Sequence, residues 1–286
     1  MAPQFLALCT ALSYAAANVS VRRGLHHSSA ATATLVSLMV HTVVLGVVVF
    51  LTGGVPKVAL AALVLIAITG VLQTGMRLWH YTGIEKVGTS RAVTLRSTHP
   101  IVSVAIGVMI LQEQVTVKVI LGTFLVVAGI VMTSWKVDRQ ISTFRWWHLV
   151  FPMATAVITG IVHPIRRAAM LISDEPLFFA ALVGPISLLC FTGMLGLPAM
   201  RGHMIWNPKS LLSFILAGVF ETLAVLFMLN AFVSGPVVLV SPIAATSPIW
   251  TLLMGVIVLR DLEHVNRFAV IGTFCVVAGV IAIYLA

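Results

Sequence analysis

One eight-residue stretch occurs twice in this sequence, 150 residues apart. Residues 122–129 read GTFLVVAG and residues 272–279 read GTFCVVAG, so seven of the eight positions are identical. Upstream, THPI at residues 98–101 is matched by TSPI at residues 246–249. Internal similarity at a fixed spacing indicates that a chain is built from copies of one structural unit. The sequence therefore predicts two related halves, residues 1–135 and 147–286, joined by a polar linker at residues 136–146.

The composition places both halves in a lipid bilayer. Sixty per cent of the residues are hydrophobic and only 9% are charged, whereas a soluble domain carries about 25% charged residues. Apolar runs recur near the length of about 20 residues that a helix needs to cross a bilayer. Helices are predicted because lipid offers the backbone no hydrogen-bonding partners. The ten predicted spans cover residues 4–23, 31–52, 59–81, 89–111, 117–135, 147–169, 176–197, 210–232, 236–259 and 267–285.

Each half contains five predicted helices, which is an odd number. The second half must then enter the membrane in the opposite sense to the first, as in inverted-topology repeats. The predicted fold class is an all-α membrane protein, with ten transmembrane helices arranged as two inverted five-helix repeats around a central cavity. The glycines of the fifth and tenth helices recur at a spacing of seven, which predicts close helix contact. The sequence leaves open whether that contact lies within one bundle or between the subunits of a homodimer.

Further features accompany the repeat. Pro100 and Pro248 lie in the fourth helix of each half, and an acidic residue follows each proline, Glu113 in the first copy and Asp261 or Glu263 in the second. With the glycine-rich final helices, this arrangement resembles the EamA-type transporters of the drug/metabolite transporter superfamily. The resemblance is most specific at residues 98–129 and 246–279. It implies a secondary transporter with ten helices around a central cavity, which moves small metabolites, often outward.

Glu221 lies near the middle of the predicted span 210–232, roughly 16 Å from either end. An ionisable group at that depth is costly unless it has a partner or contacts water. Gln73 holds the corresponding position of the first half, in GVLQT against GVFET. We therefore predict that Glu221 lies in the cavity, where it takes up a proton or neutralises a cationic centre. A structural ion pair with a buried arginine is the alternative.

Arg77 and Arg96 are predicted to face the cavity. A guanidinium suits a carboxylate or a phosphate because its fork of donors binds two oxygens at once. Arg77 is only four residues from the end of its predicted span, so it could instead reach the headgroups. Arg96 lies about 10 Å inside its span and shares a helix face with His99. Because these arginines, with His99 and His163, outnumber the single midmembrane acid, the substrate is predicted to be anionic.

The first and sixth helices carry matching polar stripes at a spacing of four residues. The first stripe contains Tyr14 and Asn18, and the second contains Thr159 and His163. Such stripes should face the interior, because unsatisfied polar groups are costly in hydrocarbon. Hydrogen bonding between helices without substrate contact is the alternative. The arginines that either extend these stripes or mark the membrane boundaries are Arg22, Arg23, Arg166 and Arg167.

The two prolines act through the backbone. A proline inside a span frees a carbonyl one turn earlier, which a neighbouring group or cavity water must satisfy. Helices broken at equivalent places in two repeats point to a central site, and Thr246 offers a hydroxyl there. The complete predicted substrate-binding set is Tyr14, Asn18, Gln73, Arg77, Arg96, His99, Thr159, His163, Glu221 and Thr246.

These observations predict a multi-pass transporter of the plasma or inner membrane. It would export small polar or anionic metabolites, such as amino-acid-like compounds or organic acids, by alternating access. Its partners would be the small-molecule substrate and membrane lipid, and the sequence leaves open proton coupling through Glu221. A lipid-carrier flippase or a multidrug exporter of the same architecture is the alternative.

Other classes of function are not expected. An intramembrane enzyme is disfavoured because the three aspartates lie in predicted loops and the sequence carries no metalloprotease or serine-hydrolase motif. The net charge of +9 does not indicate nucleic-acid binding, since most basic residues flank apolar runs as lipid-anchoring charges do. No cofactor or metal is predicted.

Overall fold

The structure is a computed structural model that describes residues 2–52, 54–134, 145–197, 203–259 and 267–285. These residues form twelve α-helices and one short 3₁₀ helix, Trp146–Leu149. The helices of the first half are α1 Pro3–Leu25, α2 Ala30–Leu51, α3 Leu60–Val87, α4 Thr89–Arg96, α5 Pro100–Met109 and α6 Val117–Ser134. Those of the second half are α7 Val150–Ile172, α8 Pro176–Leu195, α9 Pro208–Ser234, α10 Val237–Ala244, α11 Ser247–Leu259 and α12 Arg267–Tyr284.

The helices meet the requirement for crossing a bilayer. Within the described residues, eight spans are long and apolar enough to do so, and two shorter apolar stretches are Val117–Met132 and Phe274–Tyr284. Large apolar side chains cover the outside of the bundle, among them Phe50, which is 82% exposed, and Phe124, which is 63% exposed. Polar side chains instead lie inside, as expected where the surrounding solvent is lipid. The protein is thus an all-helical membrane protein.

Local sequence chemistry fixes the helix ends. The Ser29 hydroxyl accepts a hydrogen bond from the backbone N–H of Thr32 and so caps α2. Proline opens α1, α8 and α9, where the first turn needs no amide donor. Gly88 separates α3 from α4 at a φ of 94°, a conformation that a residue with a Cβ rarely adopts. Because α3 continues to Val87, it is longer than the predicted span of residues 59–81.

The predicted interruptions are present in both halves. The fourth span of the first half divides into α4 and α5, and Pro100 is the first residue of α5. The corresponding span of the second half divides into α10 and α11, with Pro248 in the first turn of α11. Two predicted features lie outside the described residues: the acidic residues Asp261 and Glu263, and residues 136–144 of the predicted linker.

The main helix contacts come in corresponding pairs. Helix α1 packs along α9, and α7, which holds the position of α1 in the second half, packs along α3. Likewise α2 packs on α9 as α8 packs on α3, and α1 contacts α11 as α7 contacts α5. Each of these contacts therefore has a counterpart in which the corresponding helices of the two halves have changed places.

Helices α6 and α12, which hold the repeated sequence, contact each other through their glycines. A Cβ on Gly129 would lie 2.5 Å from the carbonyl oxygen of Gly272, and one on Gly122 would lie 2.8 Å from that of Gly279. The earlier glycine of one helix thus meets the later glycine of the other, so the two helices run antiparallel. The predicted glycine contact therefore forms within the chain.

This contact predicts the effect of adding a single methyl group. Gly129→Ala should destabilise the protein by roughly 1–3 kcal/mol, because the new Cβ meets backbone that cannot move aside as a side chain would. The measurement is thermal unfolding of the purified protein in detergent. Gly46→Ala in α2 is the matched control, since a Cβ there meets nothing within 4 Å. Equal stability of the two variants would contradict the packing described.

Candidate functional site

Four charged side chains are buried in the interior of the described bundle: Arg77, Arg96, Arg166 and Glu221. Glu221 lies thirteen residues from either end of α9, Pro208–Ser234, which is about 20 Å along the helix axis. Neither glutamate nor arginine is commonly buried without a partner. The partners of these four groups therefore define the candidate site.

Arg77 and Glu221 form an ion pair between the two halves. The Nη2 atom of Arg77 lies 3.4 Å from Oε2 of Glu221, and the two side chains are 1% and 3% exposed. Nη1 of Arg77 donates to the hydroxyl of Ser37 on α2, at 3.5 Å. Because both side chains are buried and Glu221 lies in the middle of α9, the Arg77 side chain points into the bundle rather than toward the headgroups.

Arg166 is fully buried on α7. Its Nη2 atom donates to the side-chain oxygen of Gln73, at 3.1 Å. The Nε atom of Arg166 and the amide nitrogen of Gln73 are buried with no hydrogen-bond partner. The sequence does not separate Arg166 from Arg167, because they follow His163 by three and four residues and both continue its helix face.

Arg96, at the end of α4, lies over the ring of Tyr14 on α1. Its guanidinium carbon is 4.6 Å from the ring centroid, a distance typical of a cation–π contact. One turn along α1, Asn18 accepts a hydrogen bond from Nε2 of His80 at 2.8 Å. Asn18 also donates to the hydroxyl of Thr251 on α11, at 3.3 Å. This group joins α1, α3, α4 and α11.

A second polar group surrounds Ser241, in the middle of α10. Its hydroxyl oxygen lies 3.1 Å from Nδ1 of His99, 3.1 Å from Nδ1 of His163 and 2.7 Å from the hydroxyl of Ser103. The rings of His99 and His163 meet edge to face, with centroids 4.7 Å apart. A hydroxyl has one proton and two lone pairs, so three partners use its full capacity. Ser241 was not among the predicted residues, because it is a single polar residue in an apolar run.

The structure brings together most of the predicted substrate-binding set, but not two of its threonines. Thr159 donates to the carbonyl oxygen of Thr155 one turn earlier. Thr246 donates to that of Ile243. Both side chains are buried, and each donates to a nearby carbonyl, Thr159 within α7 and Thr246 from the turn after α10. The predicted residues that share contacts with other helices are Tyr14, Asn18, Gln73, Arg77, Arg96, His99, His163 and Glu221.

The charges of the site do not balance among the described residues. Glu221 compensates one guanidinium, that of Arg77, whereas Arg96 and Arg166 form no ion pair with a described carboxylate. An uncompensated buried charge is costly. A site of this kind therefore favours an oxyanion, which two guanidiniums bind through several charge-assisted hydrogen bonds.

Glu113 links the two halves away from this site. Its carboxylate accepts hydrogen bonds from the backbone N–H groups of Val237 and Val238, at 2.9 and 3.1 Å, in the first turn of α10. Oε1 also lies 3.7 Å from Nε of Arg167. Arg167 also donates hydrogen bonds to the carbonyl oxygens of Phe232 and Val233, in the last turn of α9. We call this set of contacts the Glu113 link.

A half-open cavity of about 330 Å³ lies between α1, α9 and α11. Its polar lining includes Arg23 and Lys209, which are exposed, and its apolar lining includes Leu212, Leu216 and Phe220. Leu212 and Leu216 belong to the exposed apolar surface of α9. The cavity therefore opens on the side of the bundle, with basic groups beside apolar ones. The described residues hold no group of three His, Cys, Asp or Glu side chains placed to bind a metal ion.

Comparisons with known proteins agree with this architecture. The chain is 22% identical over 177 residues to two proteins named "Uncharacterized transporter", from Helicobacter pylori strains J99 / ATCC 700824 and ATCC 700392 / 26695. Each match covers 61% of this chain and spans only 58% of the relative's length. A protein of known crystal structure, 14% identical, superposes with a TM-score of 0.75 over 99% of this chain and 98% of its own, and so has the same fold.

The family comparison covers nearly the whole chain. The profile of the EamA-like transporter family matches residues 1–135 and again residues 145–285. The two matches together leave out only residues 136–144 and residue 286. The chain therefore belongs to the EamA-like transporter family.

Proposed function

We propose that this protein is a secondary transporter of the plasma or inner membrane that exports small anionic metabolites by alternating access. Its ten predicted spans would form two inverted five-helix repeats, residues 1–135 and 147–286, which move against each other around the buried site. The observation that carries this proposal is the buried cluster of Arg77, Arg96, Arg166 and Glu221, to which both halves contribute. Buried ionisable groups inside a membrane bundle mark substrate and ion pathways by default.

The helix contacts support the inverted arrangement. Helices α6 and α12 hold corresponding places in the two halves and run antiparallel, as inverted repeats require. The other main contacts are unchanged when the halves are exchanged. A site between two such halves becomes accessible from alternate sides when one half tilts against the other.

Arg96→Ala tests the anionic substrate class. The purified protein, reconstituted into liposomes, is assayed for counterflow of radiolabelled succinate, glycerol 3-phosphate, glutamine, glucose and choline. We expect counterflow of at least one anion, and we expect Arg96→Ala to reduce it about tenfold or more, because a desolvated guanidinium is lost. Lys57→Ala, in an exposed loop, is the control and should transport normally.

Two results would contradict the proposal. One is transport of choline or glucose without any anion. The other is unchanged anion counterflow in Arg96→Ala that is folded, as judged by its thermal unfolding.

A lipid-carrier flippase is the second candidate, and the lateral cavity favours it. Arg23 and Lys209 would lie beside a headgroup while the exposed leucines of α9 contact its chains. The same liposomes, supplied with a fluorescent anionic lipid, distinguish the two functions. Transfer of that lipid between leaflets, without counterflow of the soluble anions, would favour the flippase.

A further inference from the structure

We infer that the central site takes a substrate with two negative charges, either a dicarboxylate or a phosphate monoester. This inference rests on the proposed function and narrows it from anions in general to dianions. Two observations support it. Two buried guanidiniums form no ion pair with a described carboxylate, and several buried N–H groups have no hydrogen-bond acceptor.

The buried charges add up to two positive units. Arg77 and Glu221 form a neutral pair at 3.4 Å. Arg96 contacts the uncharged ring of Tyr14. Arg166 contacts the uncharged amide of Gln73. Counted over its arginine and glutamate side chains, the described site therefore holds two cations with no counter-ion of their own.

Contacts of the three guanidiniums, direct or through a neighbouring residue, converge on residues 73–80 of α3. Gln73, which Arg166 contacts, and Arg77 are one turn apart on α3, about 6 Å along its axis. Arg96 lies over Tyr14, and Asn18, one turn further along α1, accepts a hydrogen bond from His80 of α3. A ligand between them would contact groups from both halves of the chain.

Several donors of this cluster remain unused. Nε of Arg77, Nε of Arg166 and the amide nitrogen of Gln73 are buried without a hydrogen-bond partner. Leaving a buried donor unsatisfied is costly, and the cost is greater when the donor is charged. A single carboxylate would neutralise one of the two spare cations and would leave the other buried alone. A dianion neutralises both.

The experiment compares probes that differ by one charge and little in size. Succinate is compared with monomethyl succinate, and glycerol 3-phosphate with its methyl diester, which carries one negative charge less, by thermal shift of the full-length protein in detergent and by competition for counterflow in liposomes. We expect each dianion to bind about tenfold or more tightly than its partner compound. Whichever dianion binds more tightly identifies the substrate as a dicarboxylate or a phosphate monoester.

Arg166→Gln provides the second readout. We expect the preference for succinate over monomethyl succinate to fall to about threefold or less, because only one uncompensated cation then remains. In the absence of any probe, this variant should unfold at the same temperature as the wild type or higher, since it loses an unpaired buried charge. Lys57→Gln removes the same charge from an exposed loop and should change neither quantity.

The possible results separate this inference from the proposed function. Equal binding of succinate and monomethyl succinate would overturn the dianion and leave an anion transporter in place. Binding of choline or glucose with no response to any anion would overturn both. A strong loss of stability in unliganded Arg166→Gln would also contradict the inference, because it would show that Arg166 is already compensated.

Discussion

Glu221→Gln should unfold at a temperature roughly 10 °C below the wild type. The substitution keeps the shape of the side chain but leaves Arg77 buried at 2% exposure without its anion. Breaking a buried ion pair by removing one partner costs about 3–5 kcal/mol, and a protein of this size loses a few degrees for each kcal/mol. The measurement is thermal unfolding in detergent without added anion.

The two partners of this pair should not be equivalent. Arg77→Gln leaves another buried guanidinium beside the site, that of Arg166, which contacts Gln73 one turn from position 77 on α3, so this variant should lose less than half as much stability. The double variant Arg77→Gln, Glu221→Gln restores the wild-type charge of the cluster and should be more stable than Glu221→Gln alone. If Arg77→Gln is the more damaging single change, the charge balance described for the site is wrong.

The same carboxylate also carries the hypothesis of proton coupling. If Glu221 takes up a proton during transport, counterflow of the anion should depend on pH in the wild type and lose that dependence in Glu221→Gln. The assay is normalised to the amount of folded protein, because the variant is less stable. Unaltered pH dependence in the variant would remove Glu221 from the coupling mechanism.

Glu113→Ala should both destabilise the protein and expose its interior. The variant loses two hydrogen bonds to the first turn of α10 and the ion pair with Arg167, which together contribute about 2–4 kcal/mol. These contacts join the two halves at one face of the bundle, so their loss should favour the conformation open at that face. Ser103, fully buried in α5, reports this opening when replaced by cysteine. We expect an impermeant maleimide to react at least tenfold faster in Glu113→Ala.

A matched carboxylate serves as the control for that prediction. Glu85 accepts a hydrogen bond from the backbone N–H of Ala30, in the first turn of α2, at 2.9 Å, and both residues belong to the first half. Glu85→Ala should lose comparable stability without faster labelling. The labelling requires replacement of the native cysteines, Cys9, Cys190 and Cys275. Equal acceleration by both variants would show that general loosening, rather than the Glu113 link, controls access.

The positions of the helices can be predicted from the sequence, because the thickness of the bilayer sets the lengths of the apolar runs. The bounds of α2 and α8 differ from the predicted spans by at most two residues at either end. Helix α3 was predicted to end six residues too early. Its last turns contain Glu85 and Lys86, which lower the mean hydropathy of the segment although the helix continues. Polarity thus marks where a helix leaves the lipid, and not where it ends.

The site was less predictable, because which residues belong to it depends on contacts with residues in distant parts of the chain. With 3.6 residues per turn, Arg166 and Arg167 both continue the face that holds His163. Only the position of Gln73 shows that Arg166 points inward, whereas Arg167 contacts Glu113. Ser241 could not be found from periodicity, since a lone serine forms no stripe. Its importance comes from two histidines that lie 78 and 142 residues away in the chain.

The contact between α6 and α12 accounts for the repeated sequence itself. Gly122 meets Gly279 and Gly129 meets Gly272, so each helix presents the same surface to the other, as subunits do at a two-fold symmetric interface. A substitution in either copy must then fit against an unchanged counterpart. In this contact, two corresponding helices pack against each other. Most of the other helices pack against a helix that holds a different position in the other half, so they do not share this constraint. Divergence after a gene duplication would therefore be slowest in these eight residues.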